Sequence, residues 1–91
     1  MSKTQRKSLD YNILFDKHAI DFLTKLPKDI SKRIYFKILS TKQHPFHYFE
    51  RLEGRSDYKL RIGDYRAIAD IDQTKSVIMI TLIGHRKNVY R

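Results

Sequence analysis

The spacing of apolar residues in the first half of the chain predicts a strand followed by two helices. Residues 9–15 form a short run rich in apolar and aromatic side chains, which is typical of a strand that packs inside a sheet. From Asp16, a residue suited to capping a helix, apolar side chains recur every three or four positions as far as Leu26. The same spacing resumes after Pro27 and ends before Pro45. We therefore expect two helices packed as a hairpin on one face of a sheet.

In the second half the period changes from that of a helix to that of a strand. Residues 58–62 alternate between apolar and cationic side chains. Because alternate residues of a strand point to opposite faces, Lys59 and Arg61 are expected to lie together, away from the apolar side chains. The sequence thus predicts a strand with one apolar and one cationic face.

A tight turn follows this strand. Gly63 and Asp64 suit a primed two-residue hairpin turn, since Gly accepts positive φ without steric cost and Asp tolerates it better than most residues. The simplest register brings Arg66 back beside Ile62. Three cations would then share a small area of the sheet and repel one another, unless an anion such as phosphate joined them.

The C-terminal segment brings further polar groups to the sheet. Residues 76–83 are almost continuously apolar, which is typical of a central strand buried on both faces. Directly after them come His85, Arg86, Lys87 and Tyr90, which we expect to fold back over the sheet. The domain is therefore predicted to be α+β, with a mainly antiparallel sheet of an N-terminal strand and three C-terminal strands.

The connector at residues 44–55 offers two other kinds of site. His44 and His47 are good metal ligands by type, but no cysteine accompanies them and they lie in a predicted loop, so no metal and no cofactor is assigned. Glu50 and Glu53 are assigned to ion pairs rather than to acid–base catalysis. The aromatic side chains of the connector are expected to seal the edge of the sheet.

Composition narrows the class of protein. The chain has 91 residues and a net charge of +9, which favours one domain at residues 9–91 that binds a polyanion or an acidic protein. Residues 1–8, basic and almost without apolar side chains, are expected to be a disordered tail. Without cysteine there is no disulfide scaffold, and without a long apolar run no membrane span is expected. We interpret the chain as a cytoplasmic protein.

Two motifs resemble those of a known family. The run Tyr58-Lys-Leu-Arg-Ile-Gly-Asp-Tyr-Arg66 and the run Gly84-His-Arg-Lys-Asn-Val-Tyr90, together with the order of elements, are similar to the RelE branch of the RelE/ParE toxin superfamily. The resemblance covers about residues 9–91. It implies a compact toxin that cleaves mRNA in the ribosomal A site and is neutralised by a cognate antitoxin.

The resemblance also implies a catalytic set and a metal-independent reaction. The substrate's own 2′-hydroxyl attacks the phosphate, leaving a cyclic phosphate and a 5′-hydroxyl, while cations stabilise the charged intermediate. The implied catalytic residues, with His85 in second rank, are Lys59, Arg61, Arg66, Arg86, Tyr90 and His85. The residues expected to bind RNA are Lys59, Arg61, Arg66, Arg86, Lys87 and Tyr90. Arg61 stands where RelE itself has lysine, and because arginine does not transfer protons at ordinary pH, acid–base work falls to Lys59, Tyr90 or His85.

Two other functions stay open at this point. A ParE-like toxin would have a similar fold but inhibit DNA gyrase without catalysis, and a small nucleic-acid-binding module would use its cations only to neutralise phosphates. The partners expected for the nuclease are mRNA, the ribosome and an acidic or amphipathic segment of the antitoxin.

Overall fold

The computed structural model of the protein describes residues 10–89 and contains five strands and four helices in that range. These elements are β1 (Asn12–Phe15), α1 (Lys17–Lys25), α2 (Lys28–Leu39), α3 (Pro45–Tyr48), β2 (Glu50–Arg51), β3 (Tyr58–Ile62), β4 (Tyr65–Asp72), β5 (Val77–His85) and α4 (Arg86–Val89). The predicted α+β architecture is confirmed. The structure adds the short strand β2 and the two short helices α3 and α4.

The five strands form one mixed sheet in the order β1-β5-β4-β3-β2. Strand β1 runs parallel to β5, and the other three pairings are antiparallel. The expectation that the first strand lies inside the sheet was wrong, because it lies at an edge. A parallel pairing needs a helical crossover, and β4 already occupies the other side of β5 through its hairpin connection.

Helices α1 and α2 begin as the sequence indicates, whereas α2 ends at Leu39, well before Pro45, which was expected to stop it. The Asp16 side chain accepts a hydrogen bond of 3.3 Å from the backbone N–H of Ala19 and so caps α1. Pro27 is the residue before α2, where it has the φ of −56° that suits a helix start. In α2, Ile34 and Ile38 are fully buried. Within the described residues, no helix is long and apolar enough to cross a membrane.

The hydrophobic core lies between this helical hairpin and one face of the sheet. Strand β5 contributes Ile78, Ile80 and Ile83, each at most 2% exposed. Burying each isoleucine side chain contributes roughly 1.5 to 3 kcal/mol. The other buried members of this core are Ala19, Ile34, Ile38, Phe49, Leu60, Ile62, Ala67 and Ala69.

The opposite face of the sheet, which we call the open face, has a different composition. In antiparallel pairs, opposed residues share a face, so the pairing of Ile68 with Leu82 places both on the side away from the core. Leu82 is 40% exposed, and the buried Ile68 lies outside the core cluster. The expectation that β5 is buried on both faces was therefore wrong, because the helical hairpin covers only one of them.

The β3–β4 hairpin has the predicted two-residue turn but a different register. Gly63 has a φ of +60° and Asp64 a negative one, the pattern of a type II′ turn. A two-residue connection pairs the residues that flank it, Ile62 and Tyr65, so Arg66 lies opposite Arg61. The predicted neighbour, Ile62, was wrong by one residue.

The aromatic connector also departs from expectation. Phe49 is 4% exposed and belongs to the core, whereas Phe46 and Tyr48, which were also expected to seal the edge of the sheet, are 43% and 40% exposed. These two rings belong to α3, which begins at Pro45. One turn of helix directs neighbouring side chains in different directions, so the connector cannot bury all of them.

Candidate functional site

Strands β3 and β4 bring Lys59, Arg61 and Arg66 to the open face, and we call these three residues the cationic face. Arg61 lies directly opposite Arg66, and Lys59 is two residues from Arg61 on the same strand. Two residues of a strand span roughly 6.6 Å, so the three Cα atoms lie in a small area. The structure therefore groups three of the predicted site residues.

Arg66 is the most constrained member of the cationic face. It is only 8% exposed. Its Nη1 donates to the backbone oxygens of Tyr65 at 3.2 Å and Gly63 at 3.5 Å, while its buried Nε has no hydrogen-bond partner among the described residues. No carboxylate within residues 10–89 forms an ion pair with it.

A buried guanidinium that lacks a hydrogen-bond partner for one of its donors lowers the stability of the fold. An unsatisfied buried donor costs about 1 to 3 kcal/mol, or more for a charged group. An anionic oxygen that contacted the guanidinium would compensate its charge.

Lys59 lies at the other end of the cationic face, next to strand β2. Register places Glu50 opposite it, and the Lys59 Nζ is 3.4 Å from the Glu50 Oε1. The Glu50 side chain is 72% exposed and that of Lys59 is 30% exposed, so the pair contributes at most about 1 kcal/mol. The assignment of Glu50 to an ion pair is confirmed.

The C-terminal cations reach the sheet beside the β3–β4 turn. The backbone N–H of Arg86 donates to the carbonyl oxygen of Asp64 at 2.8 Å, which fixes the start of α4 to that turn. The side chains of Arg86 and Lys87 are exposed. The backbone of Arg86 therefore lies at the same end of the sheet as Arg61 and Arg66. Tyr90, the remaining predicted residue, lies outside the described residues.

His85 is separated from the cationic face. It pairs with Tyr65, whose side chain packs against the core, so register directs the imidazole to the helix-covered side of the sheet. The two rings lie 5.5 Å apart at 71°. The His85 Nδ1 accepts a hydrogen bond of 3.3 Å from the backbone N–H of Lys87. The structure gives this histidine packing and hydrogen-bonding contacts rather than a place beside the three cations.

Neither histidine of the connector has metal-ligand geometry around it. His47 contacts the Tyr48 ring, with centroids 5.0 Å apart. Within the part of the chain that the structure describes, no three histidine, aspartate or glutamate side chains form a group that could hold a metal ion.

Comparisons with known proteins identify the family. Residues 13–90 match the model of the ParE toxin of type II toxin–antitoxin systems, parDE. No curated protein matches the sequence. The fold is similar to that of RelE toxins, which form the other named branch of the superfamily.

Three solved complexes illustrate this similarity. The toxin–antitoxin complex RelBE2 of Mycobacterium tuberculosis matches with a TM-score of 0.76 and 26% identity, covering 85% of this chain and 99% of that chain. The RelE–RelB complex of Pyrococcus horikoshii OT3 matches with a TM-score of 0.73 and 25% identity, covering 88% and 99%. The intact RelBE complex of E. coli, at 24% identity, 82% and 95% coverage and a TM-score of 0.69, supports the fold alone. The resemblance inferred from the two sequence motifs is confirmed: the chain belongs to the ParE toxin family within the RelE/ParE superfamily, and it is the toxin of a type II toxin–antitoxin system.

Proposed function

We propose that this toxin is a metal-independent endoribonuclease that cleaves mRNA in the ribosomal A site. The observation that carries the proposal is the pairing of Arg66 with Arg61 on the open face, where no carboxylate of the described residues forms an ion pair with Arg66. Two arginines on adjacent strands suit the oxygens of a phosphodiester, because each guanidinium presents a fork of donors.

The reaction that fits these residues uses the RNA itself as nucleophile. The 2′-hydroxyl loses its proton and attacks the adjacent phosphorus, the bond from phosphorus to the 5′-oxygen breaks, and the departing oxygen takes up a proton. The products are a cyclic phosphate and a 5′-hydroxyl. Negative charge grows on the phosphate oxygens in the transition state, so preorganised guanidinium groups lower the barrier. In this scheme Arg61, Arg66 and Arg86 hold the phosphate.

The proton carriers are assigned by position. Lys59 shares the open face with Arg61, and a lysine amine, unlike a guanidinium, can transfer protons. Tyr90 is the second candidate, by resemblance alone. His85 is a weaker candidate than the sequence indicated, because register directs its ring to the other side of the sheet. We therefore propose Lys59 and Tyr90 as the pair that moves the two protons.

The partner that we propose is a cognate antitoxin. The similar chains of M. tuberculosis and P. horikoshii are found in complexes of RelE with RelB. A protein of net charge +9 attracts an acidic segment rapidly, and such a segment could cover the cationic face and keep RNA away from it.

A second function is favoured by the family model, which describes ParE toxins. A ParE-like protein would inhibit DNA gyrase without cleaving nucleic acid. It would have no need of an unsatisfied guanidinium on the sheet, so Arg66 supports the nuclease.

One experiment separates these functions. The purified toxin is added to translating ribosomes carrying end-labelled mRNA and, in parallel, to a gyrase supercoiling reaction. The proposal predicts fragments with a cyclic phosphate and a 5′-hydroxyl, formed in the presence of a chelator, and normal supercoiling. Intact mRNA together with blocked supercoiling would establish the ParE-like function instead.

A further inference from the structure

A second surface lies apart from the open face, and we call it the aromatic groove. It is formed by residues 43–48, with Tyr11 at its side. The backbone N–H of Tyr11 donates to the carbonyl oxygen of Lys42 at 2.9 Å, which holds the two walls together. The groove adjoins Tyr58, the first residue of β3, whereas Arg61 and Arg66 lie toward the other end of that hairpin.

The groove contains aromatic rings that are not buried in the hydrophobic core. Phe46 is 43% exposed and Tyr48 is 40% exposed, although the chain has only five phenylalanines and six tyrosines. The side chains of His44 and His47 are also exposed. Exposure of apolar ring surface to water is energetically unfavourable. A flat partner that covers the rings on this turn of helix would therefore lower the free energy.

Cations stand on both sides of these rings. The Lys37 Nζ lies 5.4 Å from the centre of the Tyr48 ring. On the other side Phe46 contacts the Tyr58 ring, with centroids 5.5 Å apart, and the Arg51 guanidinium carbon lies 5.7 Å from the centre of the Tyr58 ring. None of the residues that line the groove is acidic. Of the acids beside it, Asp10 precedes Tyr11 in the chain, and Glu50 is in an ion pair with Lys59.

We propose that the aromatic groove binds an unpaired base of an RNA chain, with the flanking phosphates held by Lys37 and Arg51. Every base presents a π-face to stack on an aromatic ring, and its edge can bond to imidazole or amide groups such as His44, His47 and Gln43. The negatively charged phosphates on either side of the base are opposite in sign to the two cations and attract them. The choice of RNA over DNA rests on the proposed function.

RNA fits this surface better than an apolar protein segment would. A helix laid into the groove would cover Gln43 and the two imidazoles with hydrocarbon and leave their polar atoms without partners. A nucleotide brings both ring surface and hydrogen-bonding groups. The groove and the open face are separated by the two-residue strand β2, so one strand of RNA passing round this edge could reach both.

The test uses RNA that cannot be cut. A short single-stranded oligonucleotide, 2′-O-methylated at every sugar and carrying one iodouridine, is titrated with the full-length toxin and followed by fluorescence anisotropy. It is then crosslinked by ultraviolet light and mapped by mass spectrometry. Because methylation removes the nucleophile, binding is measured independently of cleavage.

The expected result is a crosslink within residues 43–48. Phe46→Ala and Tyr48→Ala should each weaken binding about tenfold, as expected for the loss of one stacked base. Tyr48→Phe, which keeps the ring, should recover most of the affinity. Phe36→Ala is the matched control, because Phe36 is 60% exposed on α2 and does not line the groove. Annealing the oligonucleotide into a duplex should abolish the crosslink.

Crosslinks only at the cationic face, or equal losses of affinity in Phe46→Ala and Phe36→Ala, would overturn the proposal. Mapping in the unsubstituted protein keeps the test valid if an alanine variant fails to fold. Crosslinks in the groove without cleavage of ribosome-bound mRNA would contradict the proposed nuclease alone. Cleavage without crosslinks in the groove would contradict the groove alone.

Discussion

The same strands form the helix-covered face and the open face of the sheet, because alternate residues of a strand point to opposite faces. The two faces differ in the kind of side chain that they hold. On the covered face, Leu60 and Ala67 are opposed and almost fully buried among other apolar groups. One residue further along each strand, Arg61 and Arg66 are opposed on the open face, and the buried Arg66 retains an unsatisfied donor. In this small domain, the apolar residues of the covered face stabilise the fold, and the open face carries the opposed arginines.

The largest effect is expected from a cavity in the covered face. Ile80→Ala should lower the free energy of unfolding by about 2 to 5 kcal/mol, because Ile80 is fully buried and a protein core relaxes only partially around the cavity that the substitution leaves. Leu82→Ala, two residues away on the open face and 40% exposed there, should cost less than about 1 kcal/mol. Urea unfolding of both variants measures the difference. If both variants lost the same free energy of unfolding, the two faces would contribute equally to stability, contrary to this expectation.

Next in size is the loss of a charge beside the turn. Arg86→Ala should reduce mRNA cleavage roughly 10²-fold or more, which is the effect of removing one preorganised donor from a growing negative charge. Its fold should be unchanged, because the contact of Arg86 with Asp64 is made by the backbone. Arg33→Ala removes another exposed arginine, on α2, and should cleave normally. A folded Arg86→Ala variant with full activity would refute the assignment.

The roles of charge and proton transfer on the open face can be separated at Lys59. Lys59→Ala should slow the chemical step, and Lys59→Arg should retain ribosome binding while remaining slow in single-turnover cleavage, since arginine keeps the charge but not a transferable proton. If Lys59→Arg cleaves at the rate of the unsubstituted protein, then Lys59 acts only through its charge and another group carries the proton.

The smallest effect is expected at the edge of the open face. Glu50→Gln removes the negative charge from the 3.4 Å ion pair with Lys59 but keeps the size of the side chain. Because the pair is largely exposed, thermal unfolding should show a loss of less than about 1 kcal/mol. A loss of several kcal/mol would show that Glu50 has a structural role beyond this ion pair.

Local sequence patterns predicted the longer strands and helices well, but they predicted less well which faces of those elements are buried. The alternation in residues 58–62 and the Gly63 turn are local features, and the structure confirms both. The apolar run of β5 suggested burial on both faces because hydrophobicity alone does not show which layers cover a sheet. The two-residue strand β2 is too short to give a periodic signal.

The candidate site shows the same limit. The sequence identified Lys59, Arg61 and Arg66 as neighbours, since strand period and turn length determine their positions. It did not indicate that Arg66 would be buried with an unsatisfied Nε, because burial depends on elements distant in the chain. Nor did it indicate that Phe46 and Tyr48 would stay exposed, since an aromatic run in a connector has the same pattern whether it faces the core or solvent.

The most direct test of the central claim is the single-turnover rate of mRNA cleavage on ribosomes by Arg66→Met, with Arg33→Met as the matched control. Methionine fills much of the same space without charge, so the variant should unfold at the same or a higher urea concentration than the unsubstituted toxin. The account predicts that Arg66→Met loses cleavage by roughly 10²-fold or more while Arg33→Met retains it. Cleavage by Arg66→Met at the rate of the unsubstituted toxin would contradict it.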